Sequence, residues 1–345
     1  MIEGKIGVCV VGAGRAGMIH AVNFLKNVPG ACLAAVADPD ETAAKKAAEE
    51  LGLDTWYLSH EQALENPAID AYVVVSPTKY HMDIVKAIAA EKKHILCEKP
   101  MAMTVAECDE MIQAAEKNNI KLQIGFMRRF DDSFRHAKEV IDSGEIGDVV
   151  MVRSNTRGPS VPRPWMYDIR KSNGPLAEVN SHDIDTMRWF TGSEFESLYA
   201  IGGNYRCPEA KKDFPDFYDN VVLNASFESG AQGMLDGAQG VGYAYDAKVE
   251  ILGTKGCIYL GNLRGDNVLV CRSETKSGTY PLIESWRGLF KEAYRNEDIS
   301  FINSIWNDVQ PEVTGYDGKM AVKVVNAGNT SIIEKRIVKL QEEQL

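Results

Sequence analysis

Histidine is scarce in this chain, with six in 345 residues, and no two of them fall in an HExxH pattern. The usual helical zinc signature is therefore excluded, and no metal is expected. The seven cysteines, at 9, 32, 97, 108, 207, 257 and 271, are odd in number and include no CxxC pair. That pattern excludes a disulfide framework and suits reduced, mostly buried thiols of a cytoplasmic protein. No apolar run approaches the ~20 residues that span a bilayer. The opening MIEGKIGVCVVG passes straight into a strand-like run, so no N-terminal signal is expected, and the sequons at Asn224 and Asn329 carry no weight without secretion. Basic residues are outnumbered, 38 to 49, for a net charge of −11. Neither nucleic acid nor an anionic membrane is an expected partner. Repeats, low-complexity tracts and flexible linkers are absent.

What is present is ordinary globular composition, 45% hydrophobic and 25% charged, on a chain long enough for two domains. Over the first 125 or so residues, short apolar runs alternate with helical patterns. KIGVCVV (5–11), LAAVA (33–37), AYVVV (71–75), HILC (94–97) and LQIG (122–125) read as strands. RAGMIHAVNFLK, ETAAKKAAEEL, HMDIVKAIAAE and VAECDEMIQAAEK read as helices. Strands apolar on both faces, with helices between them, predict a doubly wound parallel sheet over residues 1–127. Residues 128–345 have another texture: a helix near 131–143, the strand VVMVRSNT, a Pro- and Arg-rich loop, and a helix over LAEVNSHDID. Alternating runs such as NVVLNASFE (220–228) and AKVEIL (247–252) follow, then two helices at about 287–308 and 317–335. The expectation is an α/β domain with an antiparallel or mixed sheet.

The first strand enters Gly12-Ala13-Gly14-Arg15-Ala16-Gly17 and then a helix, and Asp38 ends the second strand. GxGxxG alone is weak, but strand, helix and acid stand where a dinucleotide site needs them. Gly12 permits the tight turn, Gly14 the approach of a pyrophosphate, and Gly17 close packing of helix on strand. The helix N-terminus attracts phosphate. Asp38 suits the adenosine ribose hydroxyls and repels a 2′-phosphate, so NAD is expected rather than NADP, although Lys45 and Lys46 lie nearby.

In LAEVNSHDID, a spacing of ~100° per residue puts Glu178, His182, Asp185 and Trp189 on one helical face. Leu176, Val179, Met187 and Phe190 share another, suited to a core. On spacing alone His182 is either a proton-handling group or a helix histidine bonded to Glu178 or to a carbonyl.

Three further stretches complete a set: Ser76-Pro77-Thr78 with His81, Cys97-Glu98-Lys99-Pro100, and Gly125-Phe126-Met127-Arg128-Arg129-Phe130. Together with LAEVNSHDID and the closing DGKMAVKVVNAGNTS, the chain resembles the glucose–fructose oxidoreductase/inositol dehydrogenase family over nearly its whole length. GFMRRFD resembles the inositol dehydrogenase branch in particular. The resemblance implies an N-terminal Rossmann domain and a C-terminal α/β domain with a large open, mostly antiparallel sheet. It also implies a homo-oligomer, a dimer or tetramer. It implies that Lys99 polarises the reacting oxygen, that His182 takes the hydroxyl proton, and that the peptide bond before Pro100 is cis. Glu98 shapes the loop or touches the cofactor. His81 stands beside the nicotinamide or, as the alternative, acts as a base. Arg128, matching an arginine of the motif, is a substrate contact, as are Arg157, Arg163, Trp165, Asn180, Tyr243 and Tyr245, residues apt for a polyol or sugar. One departure stands out. The inositol dehydrogenase pattern has aspartate four residues before the histidine, and this chain has Glu178, expected to bind a substrate hydroxyl or orient the imidazole, so the substrate lies slightly differently or is another sugar. Asp185 is catalytic or structural.

The expected activity is oxidation of a secondary alcohol of a cyclic polyol by NAD, with inositol first. A pyranose or anhydrosugar dehydrogenase, an NAD-using glycosidase or epimerase, and a non-catalytic nucleotide-binding regulator are the alternatives.

Overall fold

The computed structural model of the protein describes residues 4–342, which divide into two compact units. The first takes the chain up to Asp131 together with Glu292–Val322. The second takes Asp132–Lys291 and the chain from Lys323 onward.

In the first unit, β1 (Ile6–Val11), β2 (Ala31–Ala37), β3 (Trp56–Tyr57), β4 (Ala71–Val74), β5 (His94–Glu98) and β6 (Leu122–Gly125) form one sheet. Its order is β3-β2-β1-β4-β5-β6, and every pairing is parallel. Five helices connect these strands: α1 (Arg15–Lys26), α2 (Glu41–Leu51), α3 (His60–Leu64), α4 (His81–Ala90) and α5 (Val105–Lys117). Local signals set their limits. The Asp40 carboxylate accepts the amides of Thr42 and Ala43 at the start of α2, and Gly52 closes that helix in the left-handed region. Thr104 and Glu107 make a reciprocal capping box at α5. β1 is buried at every position, as a parallel strand covered on both faces must be. The strand order reverses between β1 and β4, where doubly wound sheets bind their ligands beyond the carboxyl ends.

The returning segment Glu292–Val322 lies beyond the division expected at residue 127. Phe301 and Ile302, fully buried, join Ile6, Val8 and Phe24 in one core. Burying a side chain of that kind contributes ~1.5–3 kcal/mol. The Ile124 amide also donates to the Val313 carbonyl (3.1 Å), which covers the free edge of β6.

The second unit opens with α6 (Asp132–Asp142), β7 (Val149–Gly158), α7 (Ile169–Ser172), α8 (Gly174–Glu178) and α9 (Ser181–Thr191). Strands β8 (Phe195–Gly203), β9 (Asn220–Phe227), β10 (Gln232–Gln239), β11 (Asp246–Gly253) and β12 (Cys257–Leu260) follow. A small hairpin of β13 (Val270–Arg272) and β14 (Ser277–Thr279) precedes α10 (Trp286–Leu289). α11 (Lys291–Trp306), α12 (Gly315–Glu334) and β15 (Val338–Lys339) finish the chain, with the unit boundary falling inside α12. The main sheet runs β12-β11-β7-β10-β9-β8-β15. It is antiparallel except where β7 pairs with β10. The expected mixed, mostly antiparallel sheet is therefore present. Alternation does what it predicts: Val221, Leu223 and Phe227 are buried, while Val222 and Asn224 face outward. Ile201 (59% exposed) on β8 and Tyr259 (75%) on β12 are apolar side chains exposed on the strands of this sheet. Four cysteines are buried, but Cys257 and Cys271 are exposed.

The single helix expected over LAEVNSHDID is two. α8 stops at Glu178, Val179 and Asn180 intervene, and α9 starts at Ser181. Nor does α9 keep a polar face in water: His182, Asp183, Asp185, Thr186 and Arg188 are all buried. The 3.6-residue spacing continues through the break, so periodicity alone cannot register it.

Candidate active site

The glycine turn behaves as its residues dictate. Gly12 has φ +108°, and a Cβ there would stand 2.8 Å from the Val75 carbonyl oxygen. A Cβ on Gly17 would sit 1.8 Å from the Gly12 carbonyl oxygen, so α1 packs on the turn only because that position has no side chain. Gly14, the N-cap of α1, has no heavy atom within 4 Å of its Cβ direction, and no acidic residue occupies the first turn. Open space before free amides and positive dipole is what a pyrophosphate requires. Asp38 is built into the turn: its carboxylate accepts the Ala13 amide (2.8 Å) and the Asp40 amide (2.9 Å). Lys45 and Lys46 are paired with Glu41 and Glu50 on their own helix.

Beyond β4, Ser76-Pro77-Thr78 leads into α4. The buried Ser76 hydroxyl has no hydrogen-bond partner among the described residues. His81 joins this loop to the next: Nε2 lies 2.7 Å from the Ser76 carbonyl, and Nδ1 lies 3.0 Å from that of Pro100 and 3.3 Å from that of Met101. Buried on every side, its imidazole pKa is pushed down despite those carbonyls. A buried imidazole whose two nitrogens face the carbonyls of two loops has a structural task there. Lys99 leaves β5 half-buried, its amide donating to Glu98 Oε2 (3.0 Å), and the Lys99–Pro100 bond is cis.

Much of GFMRRF is architecture. Gly125 makes room for Glu98, whose Cδ would be 3.0 Å from a Cβ there. Arg129 pairs with Asp317 (2.9 Å), and the Phe130 carbonyl accepts from Asn296. Arg128, expected at the substrate, is 1% exposed and the largest of the fully buried side chains.

In the second unit, His182 stands in the first turn of α9 and is 6% exposed, with Glu178 half-buried at the end of α8. The turn is anchored by Asp183, which sequence reasoning passed over. Its carboxylate accepts from Ser154 (2.6 Å) and Thr156 (2.9 Å) on β7, and from Asn180 (2.8 Å). Asn180 is thus turned into the interior, its Oδ1 within 2.1 Å of where a Gly237 Cβ would lie. Asp185 stands 3.8 Å from Arg188, which itself forks onto Glu194, so its environment is that of a structural ion pair.

Of the other expected contacts, Arg157 is held in a fork by Asp236 (2.7 and 2.9 Å) and lies 3.7 Å from Asp246. The fork takes two of the five guanidinium donors and leaves the side chain 40% exposed. Tyr243 donates to Asp246 (2.9 Å). Tyr245 is buried edge-on to Phe290. Trp165 (54%) and Arg163 are exposed on the Pro- and Arg-rich loop. The cross-strand acids that take up Arg157 follow from register, which local sequence does not display.

Comparison with known proteins gives the same assignment from another direction. Residues 6–126 match the oxidoreductase family with an NAD-binding Rossmann fold, and residues 134–259 match the GFO/IDH/MocA C-terminal domain. A myo-inositol 2-dehydrogenase of Thermotoga maritima is 36% identical over 96% of this chain and 98% of its own. An NAD(+) scyllo-inositol 2-dehydrogenase of Bacillus subtilis is 32% identical over 96% and 95%. The crystal structure of a Lactobacillus casei scyllo-inositol dehydrogenase with bound NAD(H) and scyllo-inositol superposes with a TM-score of 0.89. It is 29% identical and covers 98% of this chain and 100% of that one. A glycine turn shaped for a pyrophosphate, on a chain matched in both halves by one family, has one reading: the protein belongs to the Gfo/Idh/MocA family of NAD-dependent oxidoreductases.

Proposed function

We propose that the protein oxidises one secondary hydroxyl of an inositol to a ketone. The observation that carries this reading is near full-length likeness to two inositol 2-dehydrogenases in a chain that keeps Lys99 and His182. The residues fit the cofactor: Gly14 leaves space before the α1 amides, and the Ser76 hydroxyl is a buried polar group awaiting a partner. Gly12–Gly17 would hold the pyrophosphate and Asp38 the adenosine ribose. When bound, NAD supplies the carbon that accepts the hydride.

The chain's own groups handle oxygen and proton. The Lys99 ammonium donates to the reacting hydroxyl and stabilises negative charge growing on that oxygen as the C–H bond breaks. His182 takes the hydroxyl proton, a task for which imidazole is suited in either direction. Glu178 binds a neighbouring hydroxyl, and its extra methylene relative to aspartate shifts where that hydroxyl must lie. The two relatives are named for different inositol isomers, and Glu178 is the residue we assign to choosing between them.

Turnover of myo- and scyllo-inositol with NAD, followed by NADH absorbance, is the test. His182→Ala is expected to lower kcat by about 10²–10⁴-fold while NAD binding survives. Unchanged turnover in that variant would overturn the assignment.

A further inference from the structure

A group of titratable side chains outside this chemistry is buried in the first unit, around Glu98 at the end of β5. His20, on α1, reaches two acids: Nδ1 lies 2.7 Å from Asp298 Oδ1 and Nε2 lies 3.2 Å from Glu98 Oε1. Asp298 is fixed in turn by the Asn23 amide (2.8 Å), also on α1. Glu297 adds a third acid. Its carboxyl is buried with no hydrogen-bond partner among the described residues, and a ligand atom each of His20, Glu98 and Glu297 lie within 4.8 Å of one another.

Burial opposes a charged imidazole, but the Asp298 charge and the hydrogen bonds to Asp298 and Glu98 hold the His20 pKa well above its ordinary value. Burial and the neighbouring Glu98 push the Glu297 carboxyl well above the carboxylate range, which favours its neutral form. With the His20 imidazolium set between Asp298 and Glu98 and the third acid pushed toward its neutral form, the cluster's net charge is reduced toward −1. Both His20 nitrogens already face acids directly.

Glu98 is the member that connects this cluster to chemistry. Its Oε1 meets His20, and its Oε2 accepts the Lys99 amide (3.0 Å). Gly125 supplies the space that lets the side chain turn inward. The carboxylate is thereby held at both oxygens, which fixes its plane and the backbone from which Lys99 projects. On the other side, His20 belongs to α1, the helix whose N-terminus would meet the pyrophosphate, five residues after its first residue, Arg15. That is about 7.5 Å along the helix axis.

We propose that His20 is a positioning residue for Lys99: it grips Glu98 and so ties the cofactor-binding helix to the turn that carries the catalytic lysine. This rests on the reading of Lys99 given above. Effects of a small misplacement on reaction rate are large, because the lysine must meet an oxygen in the transition state.

The test uses the full-length enzyme with His20→Asn, Glu98→Gln and, as reference, Lys99→Met. Rates are expressed per NADH-binding site, titrated by NADH fluorescence, so that misfolded protein does not count. His20→Asn and Glu98→Gln are expected to lower kcat per site about tenfold or more, with the KM for NAD within about threefold. With inositol deuterated at the reacting carbon, the isotope effect on kcat is expected to rise as hydride transfer becomes limiting. A merely structural role would reduce the number of sites and leave kcat per site alone. If His20→Asn does not fold, Glu98→Gln and Asp298→Asn carry the measurement. A kcat per site within about twofold of wild type overturns the proposal. So does one equivalent of tightly bound transition metal that is lost, with activity, in Glu297→Gln. Retained turnover in Lys99→Met would instead overturn the reading of Lys99; loss there with full rates in the other variants overturns only the role of His20.

Discussion

His20 and His81 are both buried, at 0% and 1% exposure, and both touch the turn that carries Lys99, yet they titrate in opposite directions. Burial costs each of them its charged form. At His20 the carboxylates of Asp298 and Glu98 outweigh that cost. At His81 the partners are the backbone carbonyls of Ser76, Pro100 and Met101, and burial wins. Dipoles at hydrogen-bond distance do not replace a full charge in a dry site. One histidine is therefore the cation of a buried ion pair. The other is a neutral linker, whose single N–H goes either to Ser76 or to the Pro100–Met101 side.

Replacing His20 by Leu should have the larger effect. It strands two carboxylates without their cation, and breaking a buried pair by removing one member costs ~3–5 kcal/mol. Replacing His81 by Leu leaves only carbonyls behind, at a cost of ~1–3 kcal/mol for an unsatisfied buried group. Urea unfolding followed by circular dichroism should place the His20→Leu midpoint clearly below that of His81→Leu. Equal midpoints would break the comparison, because they would mean that the carbonyls hold His81 as strongly as the acids hold His20.

The two neighbourhoods also differ in how far the sequence announces them. Local chemistry sets α1, α2 and α5, whose limits the helical pattern matches, through Asp40, Gly52 and the Thr104–Glu107 box. The glycine turn, Asp38 and the Lys99–Pro100 turn are equally local. The five-residue α3 and two-residue β3 are too short to build a pattern. The partners of His20 are another matter: Asp298 is 278 positions away, and nothing near either residue marks the meeting. Likewise Arg157 looks like a ligand in a loop rich in arginine until β10 and β11 bring Asp236 and Asp246 beside it. Spacing marks His182, but cannot show that Ser154 and Thr156 pin the next residue to the sheet.

The smallest of these effects tests the cluster's charge state. Glu297 faces His20, Glu98 and Asp298, and Gln123 donates to its backbone carbonyl. Its folded pKa is raised above an unfolded value of ~4.3. Between the two, the folded chain must hold a proton that the unfolded chain releases, so stability falls as pH rises through that window. Asp298, also raised, adds a slope of the same sign, as does His20 above ~6.5. Glu297→Gln keeps the size and neutrality of the protonated acid and removes only its part of the slope. The variant should therefore gain on wild type from pH 5 to pH 8, by roughly 2 °C or more in Tm. If the gap stays constant or reverses across that range, Glu297 is ionised in the folded protein. The cluster would then hold three negative charges against one imidazolium, an excess that calls for a further cation.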